Sequence, residues 1–538
     1  MKTRFTLALL VVLALGLRFL GVGWGVPYRL HPDAGKYIKP AAYCSVGVFN
    51  PHYFENPSGM TYPLWLWLTA VNAIETSIGA VEPRANLKDR YEYEAWLLEL
   101  WGRWFVALLG AASVVVMFQL ARNVLEVRGA LIAALLFAVC FVHVRQSRYA
   151  VNDVPMLLVF LGATLMTVCL WARGRWRDLI WASFLSGYAT GTKYAAFVAV
   201  LAIFPALFWP REPNRDGAPQ ARPLRAAGWV AAFSAAGFFV ACPYAILDCP
   251  AFCEALRGLW GSRIHRWEGQ SGSPVVVLVI QSLVYGVGLG PLLLILVALC
   301  HEQKIRKIAL RHLAPLWGGP LSFLLLVVQP LYFARFSLPL LPYLALLAGW
   351  AAERLLRDNR HRAVTALVLV VVAGESLALS LRHGLICTRT DTRVLAVKYL
   401  RERLRPGENV AADDIAFPFR YREVKVAPAE IPYASLGLDL SRIDPARLAT
   451  AGFQWFAVSS YAAHLFGEAH RAETLPWRER LYAVGKLAQV LSAGPMVPFH
   501  IEHSHTPFVG LFGTERPGPH IYLFRLDAEK ARALLAQP

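Results

Sequence analysis

The chain has 538 residues, of which 56% are hydrophobic and 12% aromatic, and its mean hydropathy is +0.43. That composition excludes an ordinary water-soluble globule, which needs far more polar surface at this length. The net charge of +18 does not point to nucleic acid either, because much of the excess sits in short loops between apolar runs, where membrane proteins carry their orientation signals.

The first run, MKTRFTLALLVVLALGLRFLG, has the basic start and apolar core of a secretory leader, but Arg18 and Phe19 stand where a small-residue cleavage site belongs. It predicts an uncleaved span over 4–22, with Arg18 as an interfacial anchor at its outer end. Segment 62–80 contains Asn72 and Glu75 and is led in by prolines, which predicts a helix lying in the interface, its Tyr62, Trp65 and Trp67 serving as belt aromatics. Further spans are expected near 96–120, 129–145, 154–171, 227–245, 275–299, 313–330, 336–352 and 363–381. The tract 179–209 is interrupted by TGTKY at 190–194; two short helices around Lys193 keep the arginine-rich loop that follows on the cytoplasmic side.

Eleven spans result. The loops then assigned to the inside, 121–128, 172–178, 210–226, 301–312 and 353–362, carry seventeen basic against seven acidic residues, with a basic excess in each. The tail 382–538 changes character, alternating strand-like patterns (FQWFAVSS, HIYLFRL) with amphipathic stretches such as TRVLAVKYLRERL. It predicts an α/β domain of about 150 residues, a normal domain size, on the outer side by parity. The expected organisation is a membrane domain over 1–381 and an extracytoplasmic domain over 382–538, without internal repeats.

Eight cysteines show no metal spacing; a bridge among Cys242, Cys249 and Cys253 is open, since connectivity does not follow from sequence. His500, Glu502, His503 and His505 cluster in a Pro-flanked stretch that reads as a solvated loop sooner than a metal site.

The candidate chemistry lies at one expected depth, at the outer ends of spans. Asp33 stands in HPDAG of the first loop; Asp153 stands in RQSRYAVNDVPM, rimmed by Arg145 and Arg148; Lys193 interrupts an apolar tract; Arg335 lies in QPLYFARFSLPLLP. A phosphate leaving group needs cations, and a hydroxyl nucleophile needs a carboxylate within hydrogen-bond reach. Plainer roles stay open beside these: a turn for Asp33, a helix cap for Asp153, snorkelling for Lys193 and Arg335.

The stretches HPDAGKYIKPAAYCSVGVFNPHYFENPSGMTYPLWLW, SRYAVNDVPM, TGTKYAA, CPYAILDCPAF and RFSLPLLPYLALLAG, with weaker echoes at DTRVLAVKYL and GPHIYLFRL, resemble the bacterial GT-C glycosyltransferases. The branch they are most similar to is the lipid-carrier-dependent, family 39-like one, related to protein O-mannosyltransferases and lipid A aminoarabinose transferases. The resemblance implies a polytopic α-helical membrane protein with interfacial helices in its first outer loop and a C-terminal α/β domain. It implies transfer of a hexose or pentose from a polyprenyl phosphate to a protein, lipid or glycan acceptor, with inversion, outside the cytoplasmic membrane. By position, the family's first-loop Asp falls on Asp33, as catalytic base or acceptor-orienting group, and its second-loop Asp falls on Asp153. Lys193 and Arg335 fall where the family places basic residues at the cavity; Arg148 is a further candidate for the donor phosphate, and Tyr37, Glu55, Tyr62 and Tyr332 are candidates for the substrate cavity. Where the family usually has an acidic pair, Ala34 follows Asp33; no cofactor is assigned, and a divalent metal stays open. The competing reading is a transporter or lipid flippase, whose ionisable residues belong near the midplane, often with inverted repeats.

Overall fold

A computed structural model describes residues 2–82, 85–209, 219, 222–262, 283–301, 316–328, 333–357, 362–417, 433–460, 471–494 and 513–537, apart from positions 285, 438, 439, 441 and 442. The chain divides into two units. One comprises Met1–Val22, Asp33–Arg90 and Leu98–Leu381; the other comprises Gly23–Pro32, Tyr91–Leu97 and Arg382–Pro538.

The first unit is helical. In chain order it contains α1 (Lys2–Phe19), α2 (Gly35–Tyr43), α3 (Thr61–Ser77), α4 (Leu87–Arg122, apart from Tyr91–Leu97), α5 (Val127–Val139), α6 (Phe141–Gln146), α7 (Asp153–Arg173), α8 (Trp176–Thr190) and α9 (Val198–Phe208). There follow α10 (Pro223–Ala241), α11 (Tyr244–Leu247), α12 (Cys249–Ser262), α13 (Leu289–His301), α14 (Gly318–Val328), α15 (Leu341–Arg357) and α16 (Arg362–Cys387). Among the described residues, five helical segments are long and apolar enough to cross a membrane: Leu87–Arg122, Asp153–Arg173, Pro223–Ala241, Ala334–Arg357 and Ala366–Arg401. The unit is a polytopic membrane bundle.

Small residues let its helices approach closely, which is how packing is gained where lipid removes the hydrophobic drive. A Cβ added at Gly187 of α8 would lie 1.9 Å from the Ser234 carbonyl oxygen of α10, and one at Gly237 of α10 would lie 2.0 Å from that of Phe184. The alanines of α5, with Phe137, pack with Leu341, Tyr343, Ala345 and Leu346 of α15 in the largest core cluster.

The expected span 129–145 is broken: α5 stops at Val139, Cys140 turns out of helical geometry at ψ 119°, and α6 starts anew. Arg18 donates to the Ala138 carbonyl at 3.2 Å, and the Ser380 hydroxyl donates to that of Val139 at 2.9 Å. Side chains thus satisfy carbonyls that a helix end leaves without an internal donor. Arg18 is accordingly no interfacial anchor. It is fully buried, donating also to Ala14 O at 2.9 Å and meeting His143 Nδ1 at 2.8 Å. Carbonyls near the ends of α1 and α5 carry the negative end of each helix dipole and offset the guanidinium charge. An ionisable residue that sequence reading passed over, Glu375 of α16, caps α13 by accepting from the N–H groups of Leu289 and Gly290 at 3.0 and 2.8 Å.

The second unit adds α17 (Thr392–Arg401), β1 (Asn409–Ala412), β2 (Tyr433–Ser435), α18 (Pro445–Thr450), β3 (Phe453–Ser459), α19 (Arg471–Val484), β4 (Gly485–Leu491), β5 (Ile521–Leu526) and α20 (Ala528–Leu535). Its five-stranded sheet has the order β2-β1-β3-β5-β4. β1 pairs in parallel with β2 and β3, and β5 pairs antiparallel with β3 and β4. The stretch FQWFAVSS forms β3 as expected, but not by in–out alternation: both faces of the sheet are covered and the strand is buried along most of its length. Phe456, Val458 and Phe524 pack with residues of α18, α19 and α20, whereas Trp455, Ala457 and Leu523 pack with Ala396, Val397 and Leu400 of α17.

All eight cysteines are unbridged. Cys249 and Cys253, one helical turn apart, have Sγ atoms 3.8 Å from each other. Tyr332 and the cluster His500, Glu502, His503 and His505 lie outside the described residues, as does most of 275–288.

Candidate active site

Asp33 sits in the turn just before α2, and the start of α2 decides its surroundings. Lys36, three residues on, comes round the first turn onto the same face and places its Nζ 2.9 Å from Asp33 Oδ1. From the far end of the unit, Arg335 places Nη1 3.4 Å from Asp33 Oδ2. Burial works against the Lys36 ammonium, but Asp33 and the nearby Tyr53 outweigh it and hold Lys36 above its ordinary value. The Asp33 carboxylate remains 22% exposed. It is cation-flanked yet reachable.

Asp153 is the first residue of α7, one past the N-cap Asn152, whose side chain makes no capping hydrogen bond. The Asp153 carboxylate pairs with Lys193 Nζ, and only 3% of it is exposed. Lys193 reaches it because the chain leaves helical geometry between α8 and α9: its backbone is extended, at φ −155° and ψ 125°. The neighbouring residues repeat the link, Asn152 Nδ2 donating to the Thr192 carbonyl at 2.7 Å. The two ion pairs meet over one aromatic ring. Lys193 Nζ lies 5.1 Å and the Arg335 guanidinium 6.0 Å from the centroid of Phe336, and Arg335 also lies 4.7 Å from that of Phe333. Such rings hold cations against their electron-rich faces.

Tyr37 of α2 is buried within the field of both carboxylates. Burial first, then the charges of Asp33 and Asp153, push its hydroxyl well above the ordinary phenol range. It is therefore a neutral hydrogen-bonding group at any physiological pH. Glu55 is exposed at the rim and accepts from the Tyr53 hydroxyl at 3.2 Å, and the Tyr53 ring lies under Lys36 Nζ at 5.7 Å. The first loop is sewn to the Lys193 turn by backbone. Gly59 N–H donates to the Gly191 carbonyl at 2.8 Å, Tyr188 donates to the Gly59 carbonyl at 3.1 Å, and Tyr194 donates to that of Phe54 at 2.8 Å.

The structure thus brings Asp33, Asp153, Lys193, Arg335 and Tyr37 together, with Glu55 at the edge. It gives Arg148 and Tyr62 other partners. Arg148 is buried and donates from Nη2 to the carbonyls of Leu17 and Ser380 at 2.6 and 3.0 Å, while Tyr62 donates to that of Phe49 at 3.2 Å. Sequence reading missed Tyr53, Phe333 and Phe336. The two phenylalanines flank Arg335 in FARF, a spacing that signals cation–π contact only once the ring positions are known. Among the described residues, no three His, Cys, Asp or Glu side chains come together as a metal would need. Asp33 and Asp153 each face a cation instead, an arrangement that does not fit a divalent ion.

Residues 98–234 match the family described as dolichyl-phosphate-mannose-protein mannosyltransferase. No curated protein matches the chain in sequence. Among solved structures, the oligosaccharyltransferase of Archaeoglobus fulgidus, crystallised with zinc and sulfate, superposes with a TM-score of 0.53 at 13% identity, covering 90% of this chain and 71% of its own. AglB from the same organism, in complex with an inhibitory peptide and a dolichol-phosphate, gives 0.52 at 12% identity over 91% and 73%. ArnT from Cupriavidus metallidurans in the apo state gives 0.50 at 14% identity over 98% and 99%. The fold is of the GT-C type. Within that class, the likeness to ArnT extends over nearly the full length of both chains.

Proposed function

We propose that this protein transfers a sugar from a polyprenyl phosphate to an acceptor hydroxyl on the outer side of the cytoplasmic membrane, with Asp33 as the base. The carrying observation is the pairing around Phe336: a reachable carboxylate between Lys36 and Arg335, beside a buried carboxylate held by Lys193. The acceptor oxygen attacks the anomeric carbon as its proton passes to Asp33 Oδ. The bond from that carbon to the phosphate oxygen breaks, and the polyprenyl phosphate leaves with the electron pair. One displacement inverts the anomeric centre.

The developing phosphate charge is the costly feature of this step, and cations placed in advance stabilise it best. Arg335 and Lys193 fill that role. A guanidinium has five N–H donors in a fork, enough to serve a carboxylate and a phosphate oxygen together. Asp153 keeps Lys193 charged and aimed, and Tyr37 supplies a neutral donor between the carboxylates. The match to a mannosyltransferase family and the fold shared with a protein solved with dolichol-phosphate support a lipid-linked donor.

The test is transfer of radiolabelled sugar by the purified protein, supplied with a panel of polyprenyl-phosphate hexoses and pentoses. One donor should raise its melting temperature and be consumed, and Asp33→Asn should bind that donor without consuming it. A protein that binds and consumes none of the panel is not this enzyme.

A further inference from the structure

Cys249 and Cys253 have no part in the site above. Cys249, the first residue of α12, is exposed, Cys253 is half-buried, and their Sγ atoms stand 3.8 Å apart. Sharing a proton with Cys253 holds the Cys249 thiol above its ordinary value, so Cys253 is the sulfur that ionises first. Arg257, one turn further along the same face, is a cation of the kind that favours a thiolate. The residues that alternate with the cysteines hold the first loop. Asp248 Oδ2 accepts from Asn50 Nδ2 at 2.7 Å, and the Phe252 ring meets that of Phe54 edge-on, with centroids 5.8 Å apart. Asn50 Oδ1 accepts from the His52 N–H at 3.1 Å, steadying a residue whose φ of 48° lies in the left-handed region. Phe54 is buried with Cys242 and Ala245, and its carbonyl accepts from Tyr194, next to Lys193. All of these residues belong to the first unit.

A disulfide needs Cβ atoms ~3.5–4.5 Å apart, whereas residues one turn apart on a helix keep theirs ~5–6 Å apart. A bridge between these cysteines therefore closes only if the first turn of α12 deforms. Asp248 and Phe252 make that turn, the Phe252 N–H donating to the Asp248 carbonyl at 3.0 Å. We propose that Cys249 and Cys253 are a redox-sensitive modification site, whose closure by thiol–disulfide exchange releases the first loop beside the sugar-transfer site. The Cys253 thiolate attacks an external disulfide, of protein or of low molecular weight, and one thiolate departs with the electron pair of the broken S–S bond. Cys249 gives its proton to water, attacks the Cys253 sulfur and expels the second thiolate. Two cysteine thiols are oxidised to one disulfide, and the external disulfide is reduced to two thiols. The outer side of the membrane lacks the thiol pools that keep cytosolic cysteines reduced, and a bridge closed against helical geometry is easily reduced again. The effect on turnover rests on the transferase reading; the exchange chemistry does not.

The test treats the purified full-length protein with oxidised glutathione, blocks the remaining thiols with N-ethylmaleimide and reads the peptide around α12 by mass spectrometry. Cys249 and Cys253 should lose two hydrogens together and take no maleimide, and dithiothreitol should restore both adducts. Cys249→Ser, which removes the second attacking sulfur, should stall with glutathione held on Cys253. Hydrogen exchange in 47–58 should rise by ~10-fold on oxidation while α7 keeps its protection, the pattern of a local opening. The double variant Cys249→Ser with Cys253→Ser should show no rise. None of these readouts needs a sugar donor. In the transfer assay, oxidation should lower turnover of the parent by ~10-fold or more, the scale of a small misplacement, and leave the double variant unchanged. Maleimide on both cysteines after oxidation, or a bridge that leaves exchange in 47–58 where it was, overturns the proposal. A bridge that opens the loop without lowering turnover overturns its link to the site. If the bridge forms and the loop opens but no donor of the panel is consumed, the transferase reading falls and the redox site stands.

Discussion

Lys193 and Asp153 lie forty residues apart and form an ion pair that ties the break between α8 and α9 to the first residue of α7, with the ammonium over the ring of Phe336. Neither charge is more than 13% exposed, so each is the other's main compensation for leaving water. Removing one partner of such a pair strands the other, at a cost of about 3–5 kcal/mol. Lys193→Met should therefore lower the melting temperature and weaken donor binding together. The double variant Lys193→Met with Asp153→Asn should regain most of the stability and none of the donor affinity. Recovery of both in a binding isotherm would show that the pair is structural and does not touch the donor.

Asp33→Asn retains size and most hydrogen bonding but cannot take a proton. Turnover should fall by ~10²–10⁴-fold, the usual contribution of a general base, with donor affinity unchanged. Turnover within about threefold of the parent, far below that scale, would return HPDAG to the status of an ordinary turn.

Gly59 tests the seam between the first loop and the Lys193 turn. A Cβ there would stand 2.4 Å from Thr192 Oγ1 and 2.7 Å from the Gly191 carbonyl oxygen, and the latter is backbone that cannot rotate away. Gly59→Ala should cost about 1–3 kcal/mol, the scale of overpacking, and should lower kcat by shifting the residues around Lys193. Full stability together with full activity would show that the seam is pliable.

Asp413 sets a pH dependence in the α/β unit. Its buried carboxyl is pushed up to about 6 by burial, against hydrogen bonds from the N–H groups of Ser459, Ile415 and Ala416 and from the Ser459 hydroxyl. Because the folded state then holds this proton more tightly than the unfolded state does, stability is fully present below the ordinary aspartate value. It declines as pH rises from ~4 through about 6. The melting temperature should trend downward across that window in the parent, and Asp413→Asn should flatten the trend while lowering stability at neutral pH. An unchanged slope in the variant would assign the dependence to another group.

The orientation rests on loop charge alone. In a background with the native cysteines replaced, Glu402→Cys should react with an impermeant maleimide in intact cells. Arg177→Cys should react only after permeabilisation. Both native side chains are well exposed, at 71% and 68%, so failure to label reports sidedness and not burial. The reverse pattern would put the site on the cytoplasmic face and refute an external acceptor.

The sequence by itself determined what depends on local order and bulk composition. Apolar runs predicted the helices because each needs to bury its own backbone polar groups in lipid. TGTKY marked the break between α8 and α9, and the strand-like stretches FQWFAVSS and HIYLFRL marked β3 and β5. Asp33, Asp153, Lys193 and Arg335 were legible as candidates because a charge beside an apolar run is costly unless it has a task or a partner. Which partner each one takes was decided only by the tertiary structure: Lys36 and Arg335 for Asp33, Lys193 for Asp153, the carbonyls of Leu17 and Ser380 for Arg148, and full burial at helix ends for Arg18. A charge has no preferred partner along the chain. Its pairing follows from Coulomb attraction and desolvation over distances of a few ångströms, and those distances exist only once helices from opposite ends of the sequence have packed.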